Sequence, residues 1–184
     1  IKIKIKDEIE YTRSFSYANC EEQTEVNENT VFDIGSLTKQ FTAAAILKLE
    51  LEGKLNIHDS LPEFFPNVPS DKQAITIHQL LTHTSGLKGS MGYGFRRSSK
   101  TEFLEMLFNS ELISDPGTKY NFSHMAYSLL GAIIEEVSDL PYEQYLNNKL
   151  FKPAGMNNTG YVLPLWDEDK IAHGYRNCRD WGKP

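Results

Sequence analysis

The sequence predicts an α/β fold of the α+β kind, with sheet-forming sequence at the start and a mostly helical region after it. Three observations predict this. Ile1-Lys-Ile-Lys-Ile-Lys6 and the stretch from Ile9 to Tyr17 alternate apolar and polar residues at period 2, the signature of strands with one apolar face. The stretches 36–51 and 125–137 instead carry apolar residues at helical spacing. Gly and Pro punctuate the chain between these segments, at Gly35, Gly53, Asp115-Pro-Gly117 and Pro141.

Composition sets the outer bounds. The chain has 184 residues, 40% hydrophobic and 24% charged, which suits one globular domain or part of a larger one and excludes disorder or a collagen-like fibre. Nineteen basic against twenty-five acidic residues give a net charge of −6, and such a surface repels phosphate backbones, so a general nucleic-acid binder is excluded. The longest apolar run, Phe41-Thr-Ala-Ala-Ala-Ile-Leu47, ends at Lys48, far short of the roughly 18 residues a membrane span needs. No signal-peptide pattern opens the sequence, which begins at Ile1 without a methionine, so the compartment stays open between cytoplasmic and extracytoplasmic. Cys20 and Cys178 are compatible with a disulfide closing a long loop or with two free thiols, and adding His173 does not complete a zinc ligand set. No cofactor and no metal are expected.

The two alternating segments read as a β-hairpin turning near Asp7-Glu8, and the polar, acidic residues 18–30 as a surface loop. From Ser36 the pattern is helical. Leu37, Phe41, Ala44, Ala45, Leu47 and Leu51 are expected to form its apolar face, with Gly53 ending it. Residues 54–75 are mostly loop. Thr76 is placed to cap a short helix from Ile77 to Thr82, which His83-Thr-Ser-Gly-Leu87 breaks. Residues 88–100 are Gly/Ser-rich and carry Arg96 and Arg97. A helix is expected over Thr101–Phe108, an extended stretch over Tyr120–His124, a strongly apolar helix over Met125–Val137, and a helix from Pro141 to about Leu150. The organisation expected is a single, incomplete domain over 1–184: a sheet-forming hairpin and loop over 1–34, a mostly helical region over 35–160, and the start of a return segment over 161–184.

One pattern carries chemistry. Gly35-Ser-Leu-Thr-Lys39 puts a serine at the mouth of an apolar helix and a lysine three residues on, where the two share a face. A serine hydroxyl is a weak nucleophile until a neighbouring base takes its proton. An amine that is partly desolvated near a helix N-terminus loses affinity for its own proton and can act as that base. The same pattern is equally that of an ordinary helix cap followed by a solvated lysine, so other residues must decide.

Four stretches do so: Val31-Phe-Asp-Ile-Gly-Ser-Leu-Thr-Lys-Gln-Phe-Thr42, Ile77-His-Gln-Leu-Leu-Thr-His-Thr-Ser-Gly-Leu87, Pro116-Gly-Thr-Lys-Tyr-Asn-Phe-Ser-His-Met-Ala-Tyr-Ser-Leu-Leu-Gly131 and Leu150-Phe-Lys-Pro-Ala-Gly-Met-Asn-Asn-Thr-Gly160. In order and spacing they resemble the N-terminal portion of the serine β-lactamase and penicillin-binding-protein-like superfamily, in the branch of class C β-lactamases, D-Ala-D-Ala carboxypeptidases and related esterases. The resemblance implies a β-lactamase-like fold with Ser36 as the acylated nucleophile on a buried helix and Lys39 as its proton partner. It also implies a small-molecule or peptide substrate. His83 is read as a hydrogen-bonding structural histidine, and His78 and His173 as structural or surface residues.

Two departures stand out. Where the family has Tyr-x-Asn, this sequence has Phe122-Ser-His124. The family tyrosine works as a proton carrier near the nucleophile, and phenylalanine has no oxygen with which to do so. Three readings follow. Lys39 serves alone as base at reduced rate, Tyr120 substitutes from two residues upstream on the same strand face, or the site binds without hydrolysing. His124 adds a further base or donor, since imidazole can be either. The second departure is that nothing here matches the family's late Lys-Thr-Gly or His-x-Gly strand. The remaining sheet is therefore expected from a C-terminal segment or a second chain. A catalytically impaired relative that binds a ligand or partner is the competing function.

Overall fold

The structure is a computed structural model that describes residues 1–5, 8–90, 99–161, 167–176 and 179–182. It divides into two compact units, one made of residues 1–35 with 158–184 and the other of residues 36–157.

The first unit is built from short antiparallel pairs. β1 (Lys2–Ile5) pairs with β2 (Glu8–Thr12), as the alternation predicts, with a register shift between Ile3 and Lys4. The apolar face of β1 is only partly covered. Ile3 and Ile5 remain 46% and 47% exposed, because a two-stranded ribbon brings no second layer to cover them. The second strand also stops earlier than the sequence suggests. Ser16 takes a left-handed backbone (φ 66°), and the chain turns there into β3 (Tyr17–Asn19). The expected surface loop at 18–30 is in part a tight hairpin of β3 with β4 (Thr24–Glu25), its turn held by the Asn19 side chain, which accepts the Glu22 amide at 3.0 Å. Strands of two or three residues are too short to show a period, which is why the pattern hid them. Val31 bridges Ile171 in parallel, and β5 (Tyr175–Arg176) pairs with β6 (Arg179–Asp180). Cys20 is an exposed free thiol, while Cys178 lies outside the described residues, as do Lys6 of the first alternating segment, Asp7 of the expected turn, and Arg96 and Arg97.

The second unit holds the hydrophobic core. A 3₁₀ turn, Gly35–Leu37, leads into α1 (Thr38–Leu51), which ends where Gly53 adopts the left-handed conformation (φ 69°) that favours glycine. α2 (Ile77–Leu81) starts at a reciprocal cap between Thr76 and Gln79, and α3 (Lys100–Phe108) at one between Ser99 and Glu102. α4 (His124–Ser138) is capped by Ser123. α5 (Tyr142–Leu146) follows Pro141 and widens into a π-type turn at Asn147–Phe151. α4 is the hub. Leu129, Leu130, Ile133 and Ile134 are fully buried, and α1, α2, α3 and α5 pack around it. Burying side chains of this size stabilises by about 1.5–3 kcal/mol each, before entropy is counted.

α1 corrects one expectation. Its inward residues are Thr42, Ala45, Ile46 and Leu49, whereas Leu37, Leu47 and Leu51 are 64%, 45% and 85% exposed. Its apolar residues are spread around the axis rather than gathered in one stripe, so the sequence pattern could not choose the face. Its inward side is pinned by Thr42, whose hydroxyl meets the Tyr142 hydroxyl at 2.7 Å. No helix among the described residues is long and apolar enough to cross a membrane, and no group of three His, Cys, Asp or Glu among them could hold a metal ion.

Candidate active site

Ser36 lies in the turn that opens α1, exposed, and Lys39 follows in the first turn of the helix, half-buried. The two side chains meet. Lys39 Nζ donates to Ser36 Oγ at 3.3 Å. No side chain caps this helix start, so its first amides are unclaimed by side chains and its positive end faces the serine. Burial pulls the Lys39 pKa below the ordinary lysine value of 10.5.

A second contact comes from 85 residues away in sequence. Lys39 Nζ is 3.3 Å from Nδ1 of His124, the first residue of α4. The amine also sits over two aromatic faces, 5.2 Å from the Phe122 ring centroid and 5.6 Å from that of Tyr127. Ring faces attract a cation and so favour the ammonium, against the effect of burial. Tyr127 is one turn along α4 from His124, on the same face, and its hydroxyl donates to the Leu81 carbonyl at 3.1 Å. Burial pushes its pKa up.

The start of α4 is fixed by the loop 83–89. Gly117 and Asn121 donate backbone N–H groups to the carbonyls of Thr84 and His83, at 2.7 and 2.8 Å. The Asn121 amide reaches the Leu87 carbonyl at 3.1 Å. Ser123, fully buried, donates its hydroxyl to the Lys88 carbonyl at 2.7 Å while capping Ala126, and the His124 amide donates to the Gly89 carbonyl at 2.9 Å. His83 and Gly86 make this loop possible by taking left-handed backbone angles of 58° and 76°.

His83 itself is the hydrogen-bonding histidine expected from the sequence. Its Nδ1 accepts the Ser123 amide at 3.1 Å, which places its proton on Nε2, and its ring packs against Phe122 and Tyr127 at 4.7 and 5.1 Å. Burial first, then the charges of Lys39 and His124, lower its pKa. A histidine with a lowered folded pKa stabilises fully above its unfolded value, about 6.5, and that contribution fades as the pH falls through it toward the folded value. The urea midpoint is therefore expected to drop between pH 7 and pH 5, about the imidazole range. His83→Gln should remove part of that drop, and an unchanged pH dependence in the variant would refute the assignment.

The structure thus brings together Ser36, Lys39, Phe122 and His124. Tyr120 stays apart. It is 65% exposed and touches the His83 ring edge-on at 5.9 Å, with no contact to Ser36 or Lys39 among the described residues. Tyr127 was missed by the sequence reading, although its three-residue spacing from His124 on an apolar helix was the available signal.

Comparison with known proteins gives the family. A family model described as Beta-lactamase matches residues 5–184. A Bacillus subtilis protein described as penicillin-binding protein PbpX is 37% identical over 169 residues, which is 92% of this chain and 42% of that relative. The crystal structure of a penicillin-binding protein from Bacillus halodurans superposes with a TM-score of 0.80 at 31% identity, over 95% of this chain and 55% of that one. A class C β-lactamase structure gives a TM-score of 0.85 at 25% identity, over 96% of this chain and 48% of the other. The chain spans about half or less of the length of each. With its fold and four sequence stretches in agreement, the chain belongs to the Beta-lactamase family.

Proposed function

We propose that the protein is a serine hydrolase that works through an acyl-enzyme on an amide or ester: a β-lactam, a peptide ending in D-Ala or a small ester. The observation that carries this reading is the 3.3 Å contact between Lys39 Nζ and Ser36 Oγ at an uncapped helix start. Ser36 Oγ attacks the carbonyl carbon, its proton leaves toward Lys39, and the carbonyl oxygen becomes an oxyanion near the first amides of α1. The leaving group departs with a proton, and water later releases the acid from Ser36. The similarity to penicillin-binding proteins makes penicillins the first probe.

The test is incubation of the intact protein with a fluorescent penicillin and with p-nitrophenyl acetate, followed by digestion and mass spectrometry. The expected result is an adduct on the peptide containing Ser36. Absence of any adduct there with both probes would overturn the reading.

Phe122 favours a second reading, a relative that binds without turnover, because its ring holds no oxygen to carry a proton beside Lys39. The two readings separate in Phe122→Tyr. A hydroxyl restored beside the amine should raise acylation by about 10²-fold, the lower end of what a general acid–base group contributes. An unchanged or lower rate in a folded variant would count against the impaired-hydrolase account.

A further inference from the structure

We propose that His124 is the terminal proton acceptor of this site and that Lys39 is a conduit between Ser36 and its imidazole. The inference rests on the hydrolase reading above and deepens it. Three groups meet at one amine, with Ser36 Oγ and His124 Nδ1 each 3.3 Å from Lys39 Nζ. Lys39 also stands over the faces of Phe122 and Tyr127. Those faces favour the ammonium, and an ammonium has three protons and no lone pair, so by itself it cannot take a proton from serine. It can do so only while it gives one up. The group positioned to receive that proton is His124 Nδ1.

The step balances. The Ser36 Oγ–H bond breaks as Oγ bonds to the substrate carbonyl carbon, and the proton passes to Nζ. A different Nζ–H bond breaks, and that proton forms an N–H bond at His124 Nδ1. Lys39 is an ammonium before and after. His124 becomes an imidazolium, and the carbonyl oxygen carries the matching negative charge. When the tetrahedral species collapses, the imidazolium returns one proton to the leaving nitrogen or oxygen and is neutral again. His124 is exposed on its outer side, so its ring is open to a bound leaving group.

The relay requires the His124 tautomer with its proton on Nε2 and a lone pair on Nδ1. The His124 ring meets the Phe122 ring edge-on, at 5.0 Å and 90°, which holds the imidazole across the end of α4. The backbone N–H of His124 is anchored on the Gly89 carbonyl, so the histidine is set by the loop that also carries His83. Among the described residues, the titratable groups around it are Lys39 from α1, His83 from the loop 83–89, and Tyr127 on its own helix. Phe122 fills the position where the family has a tyrosine. A bare ring there leaves Nζ free to reach across to Nδ1.

Two measurements on the intact protein test this. The first is the pH dependence of the acylation rate with p-nitrophenyl acetate, for the unaltered protein, His124→Asn and His124→Gln. The unaltered protein should show a rate that rises with pH along one limb. Both variants should lose about 10²-fold or more at pH 7 and show the limb displaced to the alkaline side by more than about one pH unit, because the lysine must then be deprotonated outright. Identical limbs in a protein that still acylates Ser36 would overturn the relay and leave the hydrolase reading intact, whereas no acylation of Ser36 at all would overturn both. The second measurement needs no activity. Nitrogen-15 spectra of labelled histidine should show His124 unprotonated at Nδ1 in its neutral form, with that resonance moved in Lys39→Met. A neutral ring protonated at Nδ1 would overturn the relay whatever the kinetics.

Discussion

Ser36→Ala is expected to abolish the covalent adduct, with label falling to background, a loss of at least about 10³-fold. Lys39 Nζ has two hydrogen-bond contacts, Ser36 Oγ and His124 Nδ1, and only the first is a hydroxyl that could be activated for attack. Among the described residues no other hydroxyl lies at Lys39 Nζ to take over. The loss should arise without unfolding. Ser36 is exposed and caps no helix, so alanine there should change stability by no more than about 0.5 kcal/mol. Gel fluorescence after incubation with the penicillin probe, beside a urea titration of the same variant, separates the two effects. Undiminished label in the folded variant would place the acyl group elsewhere and end the nucleophile assignment.

Gly86→Ala is expected to be the most damaging added methyl among the described glycines of the second unit. A Cβ at this position would lie 2.1 Å from the backbone carbonyl oxygen of Ser114, on a residue whose φ is already 76°. The obstacle is main chain, so no side-chain rotation relieves it. The Gly86 carbonyl also accepts the Ile113 amide at 2.9 Å, and moving the loop breaks that bond. The left-handed angle costs about 1–3 kcal/mol for a residue with a Cβ, and the overlap about as much again. A destabilisation of about 2–6 kcal/mol follows, read as a lower urea midpoint at unchanged slope. The same displacement shifts the carbonyls of residues 83–89 that fix the start of α4, so labelling of Ser36 should fall as well. A midpoint within error of the unaltered protein would show that the loop is looser than this packing implies.

The sequence and the structure agree where the cause is local. Gly35 and Gly53 bracket α1, Thr76 caps α2, and Ser36 and Lys39 are close enough in sequence for one helical turn to bring them into contact. Agreement fails where the cause lies far along the chain. The inward face of α1 is chosen by α4 and by Tyr142, a hundred residues away, and a helix whose apolar residues are spread around its axis does not record that choice in its periodicity. The contact of Lys39 with His124 is of the same kind. His124 was visible as a substituted asparagine, but its reach to the amine depends on how the starts of two helices meet. The hairpin of β3 and β4 escaped because its composition is that of a loop, and the partial exposure of the β1 isoleucines was not legible because alternation reports which residues share a face and not how far that face is covered.

The meeting of α1 and α4 at one amine has a consequence for durability. A site housed on a single loop can loosen while the rest of the molecule stands. Here the serine and the imidazole ride on the opening turns of different rods, and the packing that holds those rods in register is the same apolar interior that keeps the unit folded. Heat therefore has no mild way to disarm this centre. Chemistry and architecture should fail at one temperature, and a small slip of one rod along the other, caused by a substitution deep in the interior, would reach the nucleophile without touching it.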